Sequence, residues 1–588
     1  MSEVDQAAVG TAVPAVASLV ATLTTPLTPE LAAGLDGVEW LEVRADVLGD
    51  LDPEPLRRLF SGKLLYTLRS RAEGGSYEGS QERRKRRLAA AAAAGYDRID
   101  LEGARDLAPE LLTAIPATRR LVSWHGPASD VDALEACLGR LEAAEAALYK
   151  LVPWAVQPGE ALAPLALLHK LRRPDVVAFA GGDAGAWTRL VAPRLGAPVV
   201  YGAAGDAPGA PGQPSIRTLR EDFGLPELPP VGVLFGVVGN PVAHSLSPRL
   251  HNGAYRELGI PALYLPFQAN SFGDFWLEVV EEGVLESLDL PIHGLSITAP
   301  FKAAALAVAG AESPLAGLIG GANTLVLRDG VWEAESTDPQ GVIEPLRERG
   351  VEIAGRRAAV VGAGGAGRAA AIGLARAGAK VTLFNRSPER GEKAAEELDL
   401  PCLALAELDP GEFELLVNAT PVGRGWVGEA AALGVEGGGG QQGRQGQVGA
   451  QGQAGQKGRE GLEGRVGQVG QKGREGPEGR EERTGPGGQG GQGEQRAVGE
   501  PLPFPVEALR SEAVVIDLVY RREGDGPTPL LAAAAGRGAM TIDGREVLLG
   551  QARGQFRMMT GRELPRDLAR RLLGLPAGRT GQGERPGQ

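Results

Sequence analysis

The chain has 588 residues, too many for one hydrophobic core, so three or four domains, or two large ones, are expected. Its net charge of −13 argues against a nucleic-acid or anionic-membrane surface as its main partner. Two cysteines far apart, Cys137 and Cys402, and five histidines without a clustered pair point to no structural metal and to a reducing, cytoplasmic compartment.

Residues 6–29 carry no charge, but Glu3 and Asp5 precede them where a signal peptide needs Lys or Arg, and Pro14, Pro26 and Pro29 interrupt the run. No other span reads as a membrane helix. Between about 15 and 225, β-type runs recur at 17–22, 38–44, 63–69, 96–102, 120–125, 147–152, 175–180 and 197–201. Eight strands alternating with helices predict an N-terminal (β/α)8 barrel within an α/β protein. Glu42, Arg44, Arg69, Asp100, Glu102, His125 and Lys150 fall within or at the ends of these strands, and strand C-terminal ends form the active-site face of such a barrel. His125 and Lys150 are one βα unit apart. A lysine buried near arginines loses stabilisation of its charged form, which frees its amine to form a Schiff base with a carbonyl, and a neighbouring histidine moves protons.

These residues resemble type I 3-dehydroquinate dehydratase over the whole barrel. The motifs are Glu42 and Arg44, then Arg69, Glu73, Gly74 and Gly75, then Ser123-Trp-His125, Lys150, Trp187-Thr-Arg189, and the loop Ala210 to Gln213. The resemblance implies that Lys150 forms an imine with the C3 ketone of 3-dehydroquinate and His125 shuttles protons. Glu42, Arg44, Arg69, Arg189 and Gln213 would bind substrate. Three positions depart from the family pattern: Trp124, Gly126 and Gly209.

Residues 226–230, Pro-Glu-Leu-Pro-Pro, read as a short stiff connector. A strand at 234–238 then runs into a polar loop with Ser245 and Ser247, which read equally as a helix cap or as ligand hydroxyls. Thr298 and Lys302 follow a buried run, and Asp338 ends a later strand. A lysine and an aspartate converging on a hydroxyl supply the proton transfer that a hydride shift requires.

Residues 359–368, Ala-Val-Val-Gly-Ala-Gly-Gly-Ala-Gly-Arg, read as a buried strand turning directly into a helix. Gly362 permits the turn, Gly364, Gly365 and Ala366 bring backbone N–H groups to a pyrophosphate, and Gly367 lets helix and strand pack closely. The next strand, 379–384, ends in Asn385-Arg386 where an NAD site carries an acid, and Arg386 suits a 2′-phosphate, so the expected cofactor is NADP(H).

The second half resembles shikimate dehydrogenase, with a substrate domain followed by a Rossmann domain. Its Ser-x-Ser pair is Ser245 and Ser247, its catalytic pair Lys302 and Asp338, and its Ala-Asn-Thr motif holds Asn323 and Thr324. Its Asn-Ala-Thr-Pro loop holds Asn418 and Thr420, and its last elements carry Tyr520 and Gln551. By that resemblance Ser245, Ser247, Thr298, Asn323, Tyr520 and Gln551 touch substrate, and Asn418 and Thr420 lie by the cofactor. Ser296 and Ser336 stand where the family often has Asn, and Pro339 where it often has Gly.

Glycine falls at every third position from 440, in fourteen triplets over 440–481, with the hexapeptide at 456–461 repeated at 471–476. Pro477 is the sole proline of that run and aromatic residues are missing, so a disordered insertion is expected rather than a collagen helix.

The expected domains are therefore a barrel at 15–225, a substrate domain at 231–345, and a Rossmann domain with returning helices at 346–430 and 498–575. The insertion falls at 431–497 and a disordered tail at 576–588. The order resembles fused dehydroquinate dehydratase–shikimate dehydrogenases acting on 3-dehydroquinate, 3-dehydroshikimate and shikimate, with no nucleic-acid or membrane partner and with monomer and dimer both open. A quinate- or shikimate-sensing regulator built from inactive copies predicts loss of His125, Lys150, Lys302 or Asp338, yet all four are present. An NAD-dependent quinate/shikimate dehydrogenase is disfavoured by Arg386.

Overall fold

The computed structural model of the chain describes residues 15–423, 502–521 and 526–577. The expected insertion at 431–497 and the tail beyond residue 577 lie outside them.

Eight parallel strands run in sequence through the N-terminal domain: Ser18–Leu23, Trp40–Arg44, Lys63–Thr67, Arg98–Glu102, Arg120–Pro127, Leu148–Trp154, Val176–Ala178 and Val199–Ala203. The first seven pair in chain order, each with the next, and the eighth pairs with the first through Ser18↔Val199. The ring is not laced all the way round. Val176–Ala178 has three residues and no ladder to Val199–Ala203. Side chains fill that seam instead, with the Phe179 and Tyr201 ring centroids 6.3 Å apart.

Strand parity decides what lies inside. Val20, Trp40, Leu65, Leu121, Leu148, Val177 and Val199 converge as an interior cluster, while Leu19, Leu41, Leu64, Ile99, Val122, Leu151 and Val200 alternate with them and pack outward into the larger core. Two residues further along the same interior face stand Thr22, Glu42, Thr67, Ser123 and Lys150. The barrel is thus apolar at its base and polar at its mouth.

The proline-rich connector does more than span. Glu227–Leu228 pairs antiparallel with Ala15–Val16. The barrel and the next domain also share packed surface: Trp187 is buried edge-on against Phe267 with centroids 5.1 Å apart, and Gly159 N donates to Glu278 Oε2 at 2.8 Å.

The second sheet runs Ala262–Gln268, Val233–Gly239, Ile292–Ile297, Thr324–Arg328, Val331–Glu335, Ala311–Glu312. Its first three strands are parallel, and Thr324–Arg328 and Val331–Glu335 form a hairpin. Asp329 and Gly330 turn that hairpin with φ of 50° and 78°, the backbone that a two-residue Asp-Gly loop favours.

The third sheet is parallel throughout, in the order Cys402–Ala404, Lys380–Asn385, Arg357–Val361, Leu415–Asn418, Val514–Asp517, Met540–Ile542. Numbered along the chain this is 3-2-1-4-5-6, the Rossmann order. Leu415↔Val514 pairing joins its halves directly. Alternate residues feed two cores, with Val360, Leu415 and Val514 on one face and Val361, Leu416 and Val515 on the other, as a sheet covered on both sides requires.

Two helices, Asp338–Glu348 and Gly544–Thr560, bind the second and third sheets together. Glycine makes their close crossing possible: a Cβ on Gly341 would lie 2.6 Å from Gln551 Cγ, and one on Gly550 would lie 2.9 Å from Gly341 Cα. Among the described residues no helix is long and apolar enough to cross a membrane.

Candidate active sites

The barrel pocket is built on the interior parity described above. Register places Lys150 opposite Ser123 and His125 opposite Val152, so His125 stands one pleat nearer the mouth than Lys150. Lys150 is buried and forms no ion pair among the described residues, and burial pushes its amine down to about 8 against the pull of Glu42 and Asp100. Its Nζ lies 3.8 Å from the centroid of the Tyr201 ring.

His125 is oriented by Glu73, whose Oε2 accepts from the His125 backbone N at 3.0 Å and lies 3.2 Å from Nδ1. Burial, with Arg69 and Lys150 nearby, holds His125 well below its ordinary value, so the ring is neutral at physiological pH. Burial also pushes the Glu73 carboxyl up to about 7. A Glu73 carboxylate accepts a hydrogen bond from Nδ1–H and leaves Nε2 as the free base.

Arg69 is the hub of the charged residues. Its guanidinium reaches Ser123 Oγ at 2.9 Å, Glu73 at 3.2 Å and Glu102 at 3.5 Å, and pairs with Asp100. Glu42 accepts from Thr22 at 2.7 Å and Thr67 at 2.9 Å. Arg44 is forked onto Asp46 at 2.8 and 2.9 Å and donates to Gly209 O at 2.7 Å. Gln213 accepts from Gly209 N at 2.7 Å and donates to Thr22 at 3.0 Å, which fastens the late loop to the first strand.

Arg189 differs from the other arginines. It is buried on the helix Thr188–Val191 without a carboxylate partner among the described residues, its Nε makes no hydrogen bond, and burial pushes it down to about 10. Its guanidinium carbon sits 4.8 Å from the Phe179 ring centroid. Of the arginines expected to bind substrate, the structure gives Arg44 and Arg69 acidic partners within the protein and leaves Arg189 open to an anion.

The second pocket lies where the second and third sheets meet. Lys302 begins the helix Lys302–Val308, Asp338 begins Asp338–Glu348, and Lys302 Nζ is 2.5 Å from Asp338 Oδ2. The other carboxylate oxygen accepts from Asn323 Nδ2 at 2.8 Å and Gln551 Nε2 at 2.9 Å. Asn323 is itself held by Thr324 and Thr337. Gln555, one turn beyond Gln551, donates to Asn323 O at 3.1 Å.

Ser247 opens the helix Ser247–Leu258, and its backbone N–H donates to Ser245 Oγ at 3.2 Å. The buried Tyr264 hydroxyl lies beside Ser247 and Ser296 without a well-directed hydrogen bond to either. Ser296 Oγ and Ser336 Oγ are buried and likewise unsatisfied. Thr298 follows the strand Ile292–Ile297 and is half-buried, and half-buried Tyr520 packs on the cluster holding Tyr264 and Phe556.

The glycine loop faces this pocket, since a Cβ on Gly365 would lie 3.2 Å from Lys302 Cδ. Gly362 has φ of 105°, and a Cβ on Gly367 would lie 1.8 Å from Gly362 O, so both positions require glycine. Space around Gly364 is open for 4 Å, at the N-terminus of the twelve-residue helix Gly365–Arg376. Ala366 lies in that first turn. Asn385 is half-buried and braces the loop by accepting from Ala363 N at 3.2 Å. Arg386 is exposed, and no carboxylate pairs with it among the described residues. The backbone cradle and unpaired cation fit a dinucleotide with a 2′-phosphate.

Asn418 is placed differently from expectation. It is fully buried and donates to Asp517 at 2.8 Å while accepting from Thr420 N at 3.0 Å and Oγ1 at 2.7 Å. It therefore shapes the turn beside the glycine loop from within. Thr420 is committed to the same turn.

Residues 16–226 match the family model "Type I 3-dehydroquinase", and residues 237–325 match "Shikimate dehydrogenase substrate binding domain". A shikimate dehydrogenase (NADP(+)) of Thermococcus kodakarensis is 32% identical over 333 residues, covering 56% of this chain and 91% of that protein. The chain belongs to the shikimate dehydrogenase family, with a type I 3-dehydroquinase domain fused ahead of it. A bifunctional 3-dehydroquinate dehydratase/shikimate dehydrogenase, chloroplastic, of Arabidopsis thaliana is 27% identical over 562 residues, covering 90% of this chain and 79% of that one. A shikimate dehydrogenase (NADP(+)) of Syntrophobacter fumaroxidans is 40% identical over 195 residues, covering 32% of this chain and 65% of that protein.

Two departures in the 3-dehydroquinase domain form a single unit. Trp124 and Gly126 share the outward parity of their strand, and a Cβ on Gly126 would lie 2.1 Å from Trp124 Cζ2. Gly126→Ala is expected to displace the indole and lower the kcat/KM of the domain several-fold, and adding Trp124→Ser to relieve the loss; steady-state rates of the two variants check this. Gly209 is constrained in the same manner, because a Cβ there would lie 2.5 Å from Thr22 Cγ2.

Glu73, Asp46, Thr22, Tyr201, Tyr264 and Gln555 were not singled out for roles from the sequence. Thr22 and Tyr201 carry a legible signal, the interior parity of their strands, and Gln555 carries another, its i+4 spacing from Gln551. Asp46 and Glu73 sit in single helical turns, Ala45–Leu48 and Arg71–Glu73, too short for a periodicity that reports which way a side chain points.

Proposed function

We infer that the chain is a bifunctional shikimate-pathway enzyme. It dehydrates 3-dehydroquinate to 3-dehydroshikimate through a Schiff base on Lys150, then reduces 3-dehydroshikimate to shikimate with NADPH. What carries the reading is the presence in one chain of a buried, unpaired lysine and a separate Lys302–Asp338 pair beside a glycine loop. The product of the first chemistry is the substrate of the second. We assign the dehydratase to residues 15–225 and the reductase to 231–430 and 498–575, and we place the enzyme in the cytoplasm, where the free thiols Cys137 and Cys402 stay reduced.

In the barrel, Lys150 Nζ attacks the ketone carbon, and loss of water gives the imine. His125 Nε2 removes a proton from the carbon beside the imine, whose protonated nitrogen takes up the electron pair. The hydroxyl one carbon further on departs with a proton returned by His125, and water hydrolyses the imine to release the enone and regenerate Lys150. Arg189 is the natural partner for the substrate carboxylate because no carboxylate pairs with it among the described residues and its Nε makes no hydrogen bond.

In the second pocket, Gly362, Gly364, Gly365, Ala366 and Gly367 would hold the dinucleotide, with Arg386 on its 2′-phosphate and Asn385 bracing the loop. When bound, NADPH supplies the hydride. Lys302 Nζ donates the proton to the ketone oxygen, and Asp338, fixed by Asn323 and Gln551, holds the Lys302 ammonium in place. Ser245, Ser247, Thr298, Tyr520 and the unsatisfied hydroxyls of Tyr264, Ser296 and Ser336 suit a hydroxylated ring acid.

The test is the loss of NADPH absorbance when the purified full chain receives 3-dehydroquinate alone. Loss at a rate that rises on adding 3-dehydroshikimate supports both steps. No loss with either substrate would remove the reductase and favour a sensor.

The acid side of the dehydratase pH profile is expected to rise between pH 6 and 8.5, as Glu73 ionises at about 7 and Lys150 loses its proton at about 8. The sign follows from the two groups: Glu73 must be charged to hold the His125 tautomer, and Lys150 must be neutral to attack. Glu73→Gln is expected to lower kcat about 10- to 100-fold and to remove the component near 7, leaving the lysine limb alone. A pH series of kcat/KM on both proteins decides it.

A further inference from the structure

Two cations face the dehydratase pocket without a carboxylate of their own, Lys150 and Arg189, and both rest on aromatic faces. The rings concerned are neighbours. Phe179 and Tyr201, 5% and 3% exposed, pack with centroids 6.3 Å apart at 42° across the seam that no backbone ladder closes. We propose that the Phe179–Tyr201 pair is a positioning platform of the dehydratase, Tyr201 seating the Lys150 ammonium and Phe179 the Arg189 guanidinium where carboxylates would otherwise stand. The proposal rests on the dehydratase reading above.

The physical reason lies in what each alternative does to the reaction. A carboxylate against Lys150 would hold it as an ammonium, and one against Arg189 would occupy the N–H edge that substrate needs. A ring face attracts a cation without accepting a directed hydrogen bond. The platform therefore fixes where Nζ and the guanidinium lie while leaving the amine lone pair and the arginine donors for substrate. The seam makes the rings rigid, since their packing is what joins the two strands there.

Lys150 feels charges from several elements: Glu42 and Arg44 on one strand, Asp100 on another, Arg69 after a third, and His125 on the adjoining strand. Among the described residues no hydrogen bond joins any of these to Tyr201, and its link to them is through charge alone, so substitution of the ring leaves them in place. Removing the ring removes a force that favours the ammonium, and the lysine loses its proton at lower pH.

The experiment uses the full chain with Tyr201→Leu, Tyr201→Phe and Phe179→Leu, measuring dehydratase kcat and KM from pH 5.5 to 9.5 and the borohydride-trapped lysine adduct by mass. Reductase activity on 3-dehydroshikimate serves as the control on the rest of the chain. Tyr201→Phe is expected within about twofold of the unaltered enzyme, because the ring face is kept. Tyr201→Leu is expected to move the lysine acid limb down by about 0.5–1.5 pH units and to lower kcat about tenfold as Nζ loses its seat. Phe179→Leu is expected to raise KM about tenfold with kcat and the limb unmoved.

An unmoved limb in Tyr201→Leu overturns the proposal, as does a loss in Tyr201→Phe equal to that in Tyr201→Leu, or a fall in kcat without a rise in KM in Phe179→Leu. A missing borohydride adduct in the unaltered chain removes the dehydratase reading itself, and the platform with it.

Discussion

Lys150→Ala is expected to lower the dehydratase rate by more than about 10³-fold while leaving reductase activity intact. The amine is the group on the pocket floor that can form an imine with the ketone, and burial holds it near 8, so an appreciable fraction is nucleophilic at neutral pH. Without it, His125 faces an α-proton that no imine has made acidic. Lys150→Arg should fail equally, because a guanidinium stays charged and is no nucleophile. In the coupled assay with 3-dehydroquinate, NADPH consumption stops in the variant and resumes when 3-dehydroshikimate is supplied. Residual turnover within tenfold of the unaltered enzyme would exclude the Schiff base.

Asp338→Asn and Lys302→Ala are each expected to lower reductase kcat by about 10²- to 10⁴-fold and to leave dehydratase activity unchanged. Asp338 accepts from Lys302, Asn323 and Gln551 together. An amide in its place would turn an N–H toward one of three donors, so the lysine loses its anchor as well as its counter-charge. Lys302→Ala removes the proton donor and leaves Asp338 facing the ketone oxygen, a repulsion that grows as the alkoxide develops. Both variants fed 3-dehydroquinate should accumulate 3-dehydroshikimate, which absorption of the conjugated enone reports. If KM rose alone with kcat kept, the pair would be a binding feature and not the proton relay.

The roles carried by motif were legible because they sit on periodic elements. In the barrel, strand parity alone puts Glu42, Ser123, His125 and Lys150 on one surface, since Glu42, Ser123 and Lys150 each share the interior face with an apolar residue two positions before, and His125 follows Ser123 by two. The glycine loop was legible for the same local reason: Gly362 needs its φ of 105° and Gly367 its contact with Gly362 O, and both demands arise within six residues. Asn418 shows where locality ends. Its motif suggested a cofactor contact, yet its amide is turned inward by Asp517, which lies 99 residues further along the chain.

By itself the sequence determined the alternation of strands and helices, the parity that sorts inside from outside, and the chemistry of Lys150, His125, Lys302 and Asp338. These follow from spacings of two to seven residues, the range over which backbone geometry fixes side-chain direction. Only the tertiary structure decided which charges are spent and which are free. Asp46 takes Arg44, Asp100 and Glu73 take Arg69, and nothing acidic takes Arg189 or Lys150, which rest on Phe179 and Tyr201 across a seam in the barrel. Those pairings depend on the register of strands far apart in the chain and on single helical turns too short to show a period, and an ion pair or a ring contact exists only where folding brings its two halves within a few ångströms.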